Sequence, residues 1–234
     1  MGHSLRLSKR EVLVSALVGV LLHAIYLGGV WEAISLGAPA GISAVITSLQ
    51  PVLVSIVAIY LLAEKISVTA RFGLILGLAG VVVVLEPSFE ESGAMTATSL
   101  ALLLFALAGS TFATLSQRKF GFNVPLLVGT TYQFLIAGVL LGLLSLTTGR
   151  THMDWNLQSS LAMLWAVLVT SIAAVLLLLW MLTQGTAAKV SSLLYLVPPM
   201  TAIQAFILFG EKLNAQIVIG ITMTALGVAL VQRS

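Results

Sequence analysis

Residues 49–65, LQPVLVSIVAIYLLAEK, and residues 196–212, LVPPMTAIQAFILFGEK, superpose without a gap when the chain is shifted by 147 positions. Each is an apolar run with a proline near its start and Glu-Lys at its end. Apolar matches say little, because any two membrane helices share them. The rarer residues decide. Pro51 meets Pro198, Glu64 and Lys65 meet Glu211 and Lys212, and further on Gly73 meets Gly220 and Gly80 meets Gly227. That set of matches in one register marks an internal repeat.

The chain around the repeat is a membrane sequence. A helix needs about 20 mostly apolar residues to cross the hydrocarbon core. Such runs fall at 12–35, 41–63, 70–86, 97–117, 124–147, 160–183, 189–209 and 214–231. The connections between them are short and carry the breakers, so no soluble domain is inserted. The fold class is therefore all-α, a polytopic membrane helix bundle of about eight transmembrane helices. Composition agrees: 59% of the 234 residues are hydrophobic and 8% charged, with mean hydropathy +1.11, whereas a soluble domain carries about 25% charged residues. Lys and Arg stand singly or in pairs, with no basic face and no aromatic platform, which argues against a nucleic-acid partner. The absence of cysteine excludes disulfides, thiolate metal sites and cysteine nucleophiles. The short basic start at 1–10 has no small-residue cleavage site, so no removable signal peptide is expected.

Alternating the spans across the bilayer sorts the cations. Arg6, Lys9, Arg10, Lys65, Arg71, Arg118, Lys119, Lys189 and Arg233 fall on one side, and only Arg150 and Lys212 on the other. The positive-inside bias makes the richer side cytoplasmic. Both termini are expected there, with the loops at 86–96 and 148–159 outside. The same alternation shows what kind of repeat this is. Spans 1–3 map onto spans 6–8, a displacement of five spans, and an odd displacement enters the membrane from the opposite face. The chain is expected to carry an inverted-topology repeat, which secondary transporters use for alternating access to a site at the bilayer midplane.

The paired motif, an apolar helix with a proline closed by Gly/Ala-Glu-Lys before another helix, resembles the EamA-type family of the drug/metabolite transporter superfamily. AISLGAPAGISAVITSLQPVLVSIVAIYLLAEKISVTARFGLILGLAGVVVVL (33–85) resembles the second half of one such repeat, and residues from about 97 to 232 a complete five-helix repeat. The resemblance implies ten helices in two inverted halves, acting as a carrier, often an exporter, of small metabolites such as amino acids. It divides the chain into a partial first repeat of three helices (1–90) and a complete second repeat of five (91–234). Spans 4 and 5 have no counterparts ahead of residue 11. The expectation is a shortened form of a ten-helix carrier, or else an eight-helix form that restores the lost contacts as a homodimer.

Several side chains stand out at membrane depth. Pro51 and Pro198 remove a backbone donor within a helix, which reads as a kink lining a cavity or as a structural bend. Glu64, Lys65, Glu211 and Lys212 sit at helix ends, as caps and interface anchors or as gate contacts. Glu32 is a carboxylate within a span, where charge is costly and usually faces protein or water; it also lies close to the headgroup region. His23 and Tyr26, three residues apart, share a helix face, and a histidine there titrates in the physiological range or serves only in packing. Gln50, Tyr132, Gln133, Trp180 and Tyr195 complete a candidate substrate cavity, while polar side chains of this kind also glue helices together. Gly138 and Gly142, like Gly73, Gly77 and Gly80, are expected to allow close helix packing.

Three function classes follow. A secondary carrier of a small metabolite across the bacterial cytoplasmic (inner) membrane, with a small-molecule substrate and the lipid bilayer as partners, fits best. A nucleotide-sugar or sugar-phosphate carrier would want a cation in the cavity, for which only Lys189 is placed. A membrane-embedded enzyme or assembly factor would need convergent ionisable groups, and Glu32 with His23 is all that is offered. No metal-ligand cluster, phosphate loop or nucleophile–base pair appears, so no cofactor and no enzymatic activity are expected.

Overall fold

The computed structural model describes residues 7–85, 95–121, 124–149, 154–200, 203, 207 and 215–233. Nine helical segments are used below. They are α1 (Lys9–Ser35), α2 (Ala40–Thr47), α3 (Gln50–Leu61), α4 (Val68–Leu85), α5 (Ala97–Phe120), α6 (Leu126–Thr148), α7 (Leu157–Gln184), α8 (Ala187–Ser192) and α9 (Ala215–Arg233). Among the described residues there is no strand. Seven spans, with Ile42–Leu61 counted as one, are long and apolar enough to cross a bilayer. They coincide with seven of the eight expected runs; the eighth, from 189, is described only in part. An α-helix satisfies its backbone groups internally, as lipid demands.

The 147-residue shift holds in the structure element by element. Segments starting at Ala40, Gln50 and Val68 recur as segments starting at Ala187, Val197 and Ala215. Even the irregularities recur. In α1 the turns Val20–Leu27 widen to π-helix, and in α7 so do Ala166–Ala174, the same repeat positions to within one residue. Such π segments are rare and concentrate at functional sites.

The repeat-mates α4 and α9 pack on each other along their length. Their glycines remove the side chains from the crossing: a Cβ on Gly73 would stand 2.6 Å from the Gly227 carbonyl oxygen, and one on Gly220 would stand 2.8 Å from that of Gly80. Gly73 thus faces the mate of Gly80, and Gly80 the mate of Gly73. That crossed pairing requires antiparallel helices, which is the inverted repeat in atomic form.

The span Ile42–Leu61 breaks beside its proline: the chain turns at 48–49 and Pro51 is the second residue of α3, at the break rather than in mid-helix. Proline fits there because the first turn leaves its N–H groups unpaired in any case. Pro198 holds the same place, second in the helix that resumes at Val197 after the 3-10 turn Leu193–Leu196. One expectation is corrected: Gly138 and Gly142 meet no atom of the described residues within 4 Å of an added Cβ, so they form no close helix packing there.

Candidate transport site

The two helix breaks come together. A cavity of about 100 Å³ is lined by Tyr26 of α1, by Ala44, Thr47, Ser48 and Gln50 of the first break, and by Leu194, Val197 and Pro198 of the second. Thr47 and Leu194 are repeat-mates, and so are Gln50 and Val197. Both breaks thus contribute repeat-equivalent positions to the wall. Gln50, buried at 5% exposure, donates from Nε2 to the Thr114 hydroxyl at 3.1 Å and to the Ser110 carbonyl at 3.4 Å. These bonds hold its amide against α5, beside the cavity. A space of this size is below the usual 300–1,000 Å³ of ligand pockets.

The other candidate residues are distributed differently. Tyr195 is fully buried, but its ring lies over Gly77 within the cluster of Leu74, Val81, Val228 and Val231 rather than on the cavity wall. His23 is 4% exposed and stacks on Phe134 of α6 at 4.2 Å between ring centroids. Gln133 is its polar neighbour and is itself tied to Gln117 by an Nε2–Oε1 bond of 3.3 Å. Tyr132 is part-buried one position before Gln133, and Glu32 is part-buried near the far end of α1; neither lines the cavity. Trp180 is 51% exposed on the outer face of α7, which separates it from the cavity. Of the eight candidates, two line the cavity and two form a second polar group.

A second opening, about 490 Å³, lies at the helix ends on the Lys/Arg-rich side between Leu61, Leu62, Glu64, Arg118, Lys119 and Thr186. Glu64 does not cap its own helix. Its Oε1 accepts the Ala187 N–H at 3.0 Å and stands 3.9 Å from Arg118 Nε, while Arg118 donates to the Leu182 carbonyl at 2.9 Å. Lys65 is exposed. Glu211 and Lys212 lie outside the described residues. Reading the sequence missed Arg118 as a partner of Glu64, and missed Thr47 and Ser48 on the cavity wall. The repeat held the signal for the last two, as they sit just before Pro51 and map onto Leu194 and Tyr195.

An inverted pair of helical copies around a cavity at the crossing of two broken spans is the architecture of a polytopic membrane transporter. The model of the EamA-like transporter family matches residues 2–86 and 96–233, and the chain belongs to that family. It is 24% identical over 200 residues to a WAT1-related chloroplastic protein of Arabidopsis thaliana, covering 82% of this chain and 48% of that protein. It is 26% identical over 194 residues to the uncharacterised transporter YvbV of Bacillus subtilis, covering 82% of this chain and 63% of the relative. The chain thus spans between about half and two thirds of the length of these relatives. A crystal structure superposes on 94% of this chain and 88% of its own with a TM-score of 0.72 at 17% identity, which establishes the shared fold.

Proposed function

We propose that the chain is a secondary carrier of small metabolites, amino acids among them, working by alternating access in the export direction across a bacterial cytoplasmic membrane. Both termini face the cytoplasm, and residues 1–90 and 91–234 act as a partial and a complete copy of the repeat. One observation carries this reading: two repeat-equivalent pairs, Thr47 with Leu194 and Gln50 with Val197, meet at the paired helix breaks around one cavity. A site between two inverted copies is related to both membrane faces, as alternating access requires. Tyr26, Thr47, Ser48 and Gln50 give it an aromatic wall and a few hydrogen-bonding groups, suited to a small amphipathic solute. A phosphate-bearing solute is disfavoured, since no cation is among the lining residues and Lys189 donates its Nζ to the Gln232 carbonyl at 3.0 Å. The test is counterflow in proteoliposomes with a mixture of the radiolabelled amino acids. Saturable exchange supports the reading, and its absence for every amino acid would sink that substrate class.

A further inference from the structure

A second polar group lies buried along the seam between α1 and α6, apart from the cavity. Ser15 and His23 come from α1, Thr130 and Gln133 from α6, all at or below 5% exposure. The seam is parallel and tight: a Cβ on Gly19 would stand 2.5 Å from the Gln133 carbonyl, and one on Gly129 would stand 3.5 Å from Ser15 Oγ. Ser15 and Thr130 therefore lie near one level, Gln133 one turn further at Gly19, and His23 about one turn beyond that. Among the described residues five buried atoms here have no partner at hydrogen-bond geometry, namely Ser15 Oγ, both ring nitrogens of His23, Thr130 Oγ1 and Gln133 Oε1, although the Gln133 side chain lies close enough to His23 to interact with it.

A histidine serving only as packing would have its N–H paired, because an unpaired polar group at membrane depth is costly. Here the Gln133 side chain stands against the His23 ring, and the two hydroxyls lie about one to two turns nearer the helix starts along the same seam. Hydroxyls, imidazole nitrogens and an amide oxygen are the groups that relay or accept a proton. The seam also has a direction. Ser15 and Thr130 stand within the first two turns of their helices, and Gln117, bonded to Gln133, lies in the last turn of α5; all three belong to the Lys/Arg-rich end. His23 lies about 21 Å along α1 from Lys9, deep in a core about 30 Å thick. One turn further, within the same π segment, Tyr26 lines the cavity.

We propose that His23 carries the coupling proton, with Gln133 beside it, and that Ser15 and Thr130 mark the side of the seam by which the proton leaves toward the cytoplasm. This rests on the carrier reading above. The lone pair of the imidazole takes the proton while the cavity is open to the outer side and gives it up to water at the cytoplasmic end, in exchange for solute moving outward. In between, both nitrogens donate, with Gln133 Oε1 as an acceptor, and release restores the neutral ring; no other bond forms or breaks. The elements packed on this segment place no described charge against it. α6 offers Gln133 and Phe134, with Tyr132 alongside, and α5 presents Gly109 to the neighbouring Ile25. Arg118 of α5 is engaged by Glu64, and Lys119 lies over Phe120. On α1 itself, Glu11 is bonded to Ser8 three turns earlier, and Glu32 lies more than two turns later.

Two arms test this with the full chain. In the first, histidine-selective ¹⁵N NMR in detergent follows the signal that His23→Gln removes. A ring that gains a proton between about pH 4 and 8, with a midpoint moved by about half a unit or more in Gln133→Leu, is the expected result; a ring neutral across that range overturns the proposal. In the second, proteoliposomes under a one-unit pH gradient receive the labelled amino-acid mixture. One coupled proton supports up to about tenfold accumulation. The wild type should accumulate solute, and His23→Gln should only equilibrate it while retaining counterflow at equal pH; Thr130→Val should slow accumulation without abolishing it. Accumulation by His23→Gln equal to the wild type overturns the proposal. Wild-type counterflow without accumulation overturns coupling and leaves the carrier standing, whereas no counterflow at all removes both.

Discussion

Glu64 Oε1 accepts the amide hydrogen of Ala187 at 3.0 Å across 123 residues of sequence. The bond ties the end of α3 in one repeat copy to the first turn of α8 in the other. Ala187 is fully buried, so without Glu64 its N–H would be an unpaired donor. The nearby Arg118 is 3.9 Å away and part-exposed, and such pairs contribute little. Glu64→Ala should therefore cost about 1–2 kcal/mol, while Glu64→Gln, which keeps the acceptor oxygen, should cost well under half of that. Unfolding in mixed micelles measures both. Equal losses for the two would assign the effect to charge and contradict the capping role.

Ala63, one residue before, has φ +54, the left-handed region. This turn lets the Glu64 amide close back on the Ala58 carbonyl at 3.2 Å. A side chain costs about 1–2 kcal/mol in that conformation, and the repeat-mate of Ala63 is Gly210. Ala63→Gly should raise stability by up to about 1 kcal/mol, less the extra chain entropy glycine loses on folding. A drop in the unfolding midpoint would count against the left-handed turn.

The helix crossing gives a sharper contrast. Gly227→Ala places a methyl group against the backbone of Gly73 and Gly77, which only a helix shift relieves; the expected cost is about 1–3 kcal/mol. Gly73→Ala should cost a similar amount, since it enters the same crossing from the other side. Gly138→Ala meets nothing among the described residues and should be neutral or stabilising by up to about 1 kcal/mol. The ranking is read from unfolding midpoints in one detergent, and a Gly138→Ala as damaging as Gly227→Ala would refute it.

For the cavity, Tyr26→Ala and Gln50→Ala should lower amino-acid counterflow by about tenfold, the scale of one or two lost hydrogen bonds, with normal membrane insertion. Trp180→Ala should stay within about twofold of the wild type, because the indole lies on the outer face. The opposite order would relocate the site to the α7 surface.

That contrast shows how far the sequence could be read. Span positions followed from length and hydropathy, and the repeat from rare residues in register, because both signals are one-dimensional. Helix faces were not legible. In a soluble helix the polar stripe marks the outside, but here lipid and protein interior are equally apolar, so Trp180 and Tyr26 looked alike from sequence. His23 was identified as a deep polar residue, yet its neighbours belong to the α1–α6 seam, a relation between spans that no spacing encodes. Glu64 was recognised as a helix-end carboxylate, but its partner lies 123 residues away.

Topology can be tested without background, since the chain has no cysteine. Lys119 and Thr148 are both exposed, near opposite ends of the bundle, and each can be replaced singly by cysteine. In intact cells an impermeant maleimide should label the Thr148→Cys variant within minutes and the Lys119→Cys variant only after permeabilisation. The reverse pattern would invert the orientation drawn from the Lys/Arg asymmetry.

The crossing of α4 and α9 has a consequence for motion. If the two copies trade conformations, a contact off the pseudo-axis is replaced by its mate elsewhere in the molecule. The glycine crossing behaves otherwise: the Gly73–Gly227 contact maps onto Gly80–Gly220, and that pair maps back onto the first. The crossing is carried into itself and stays made throughout the exchange. In such an exchange it is the fulcrum, with glycine where one backbone comes closest to the other.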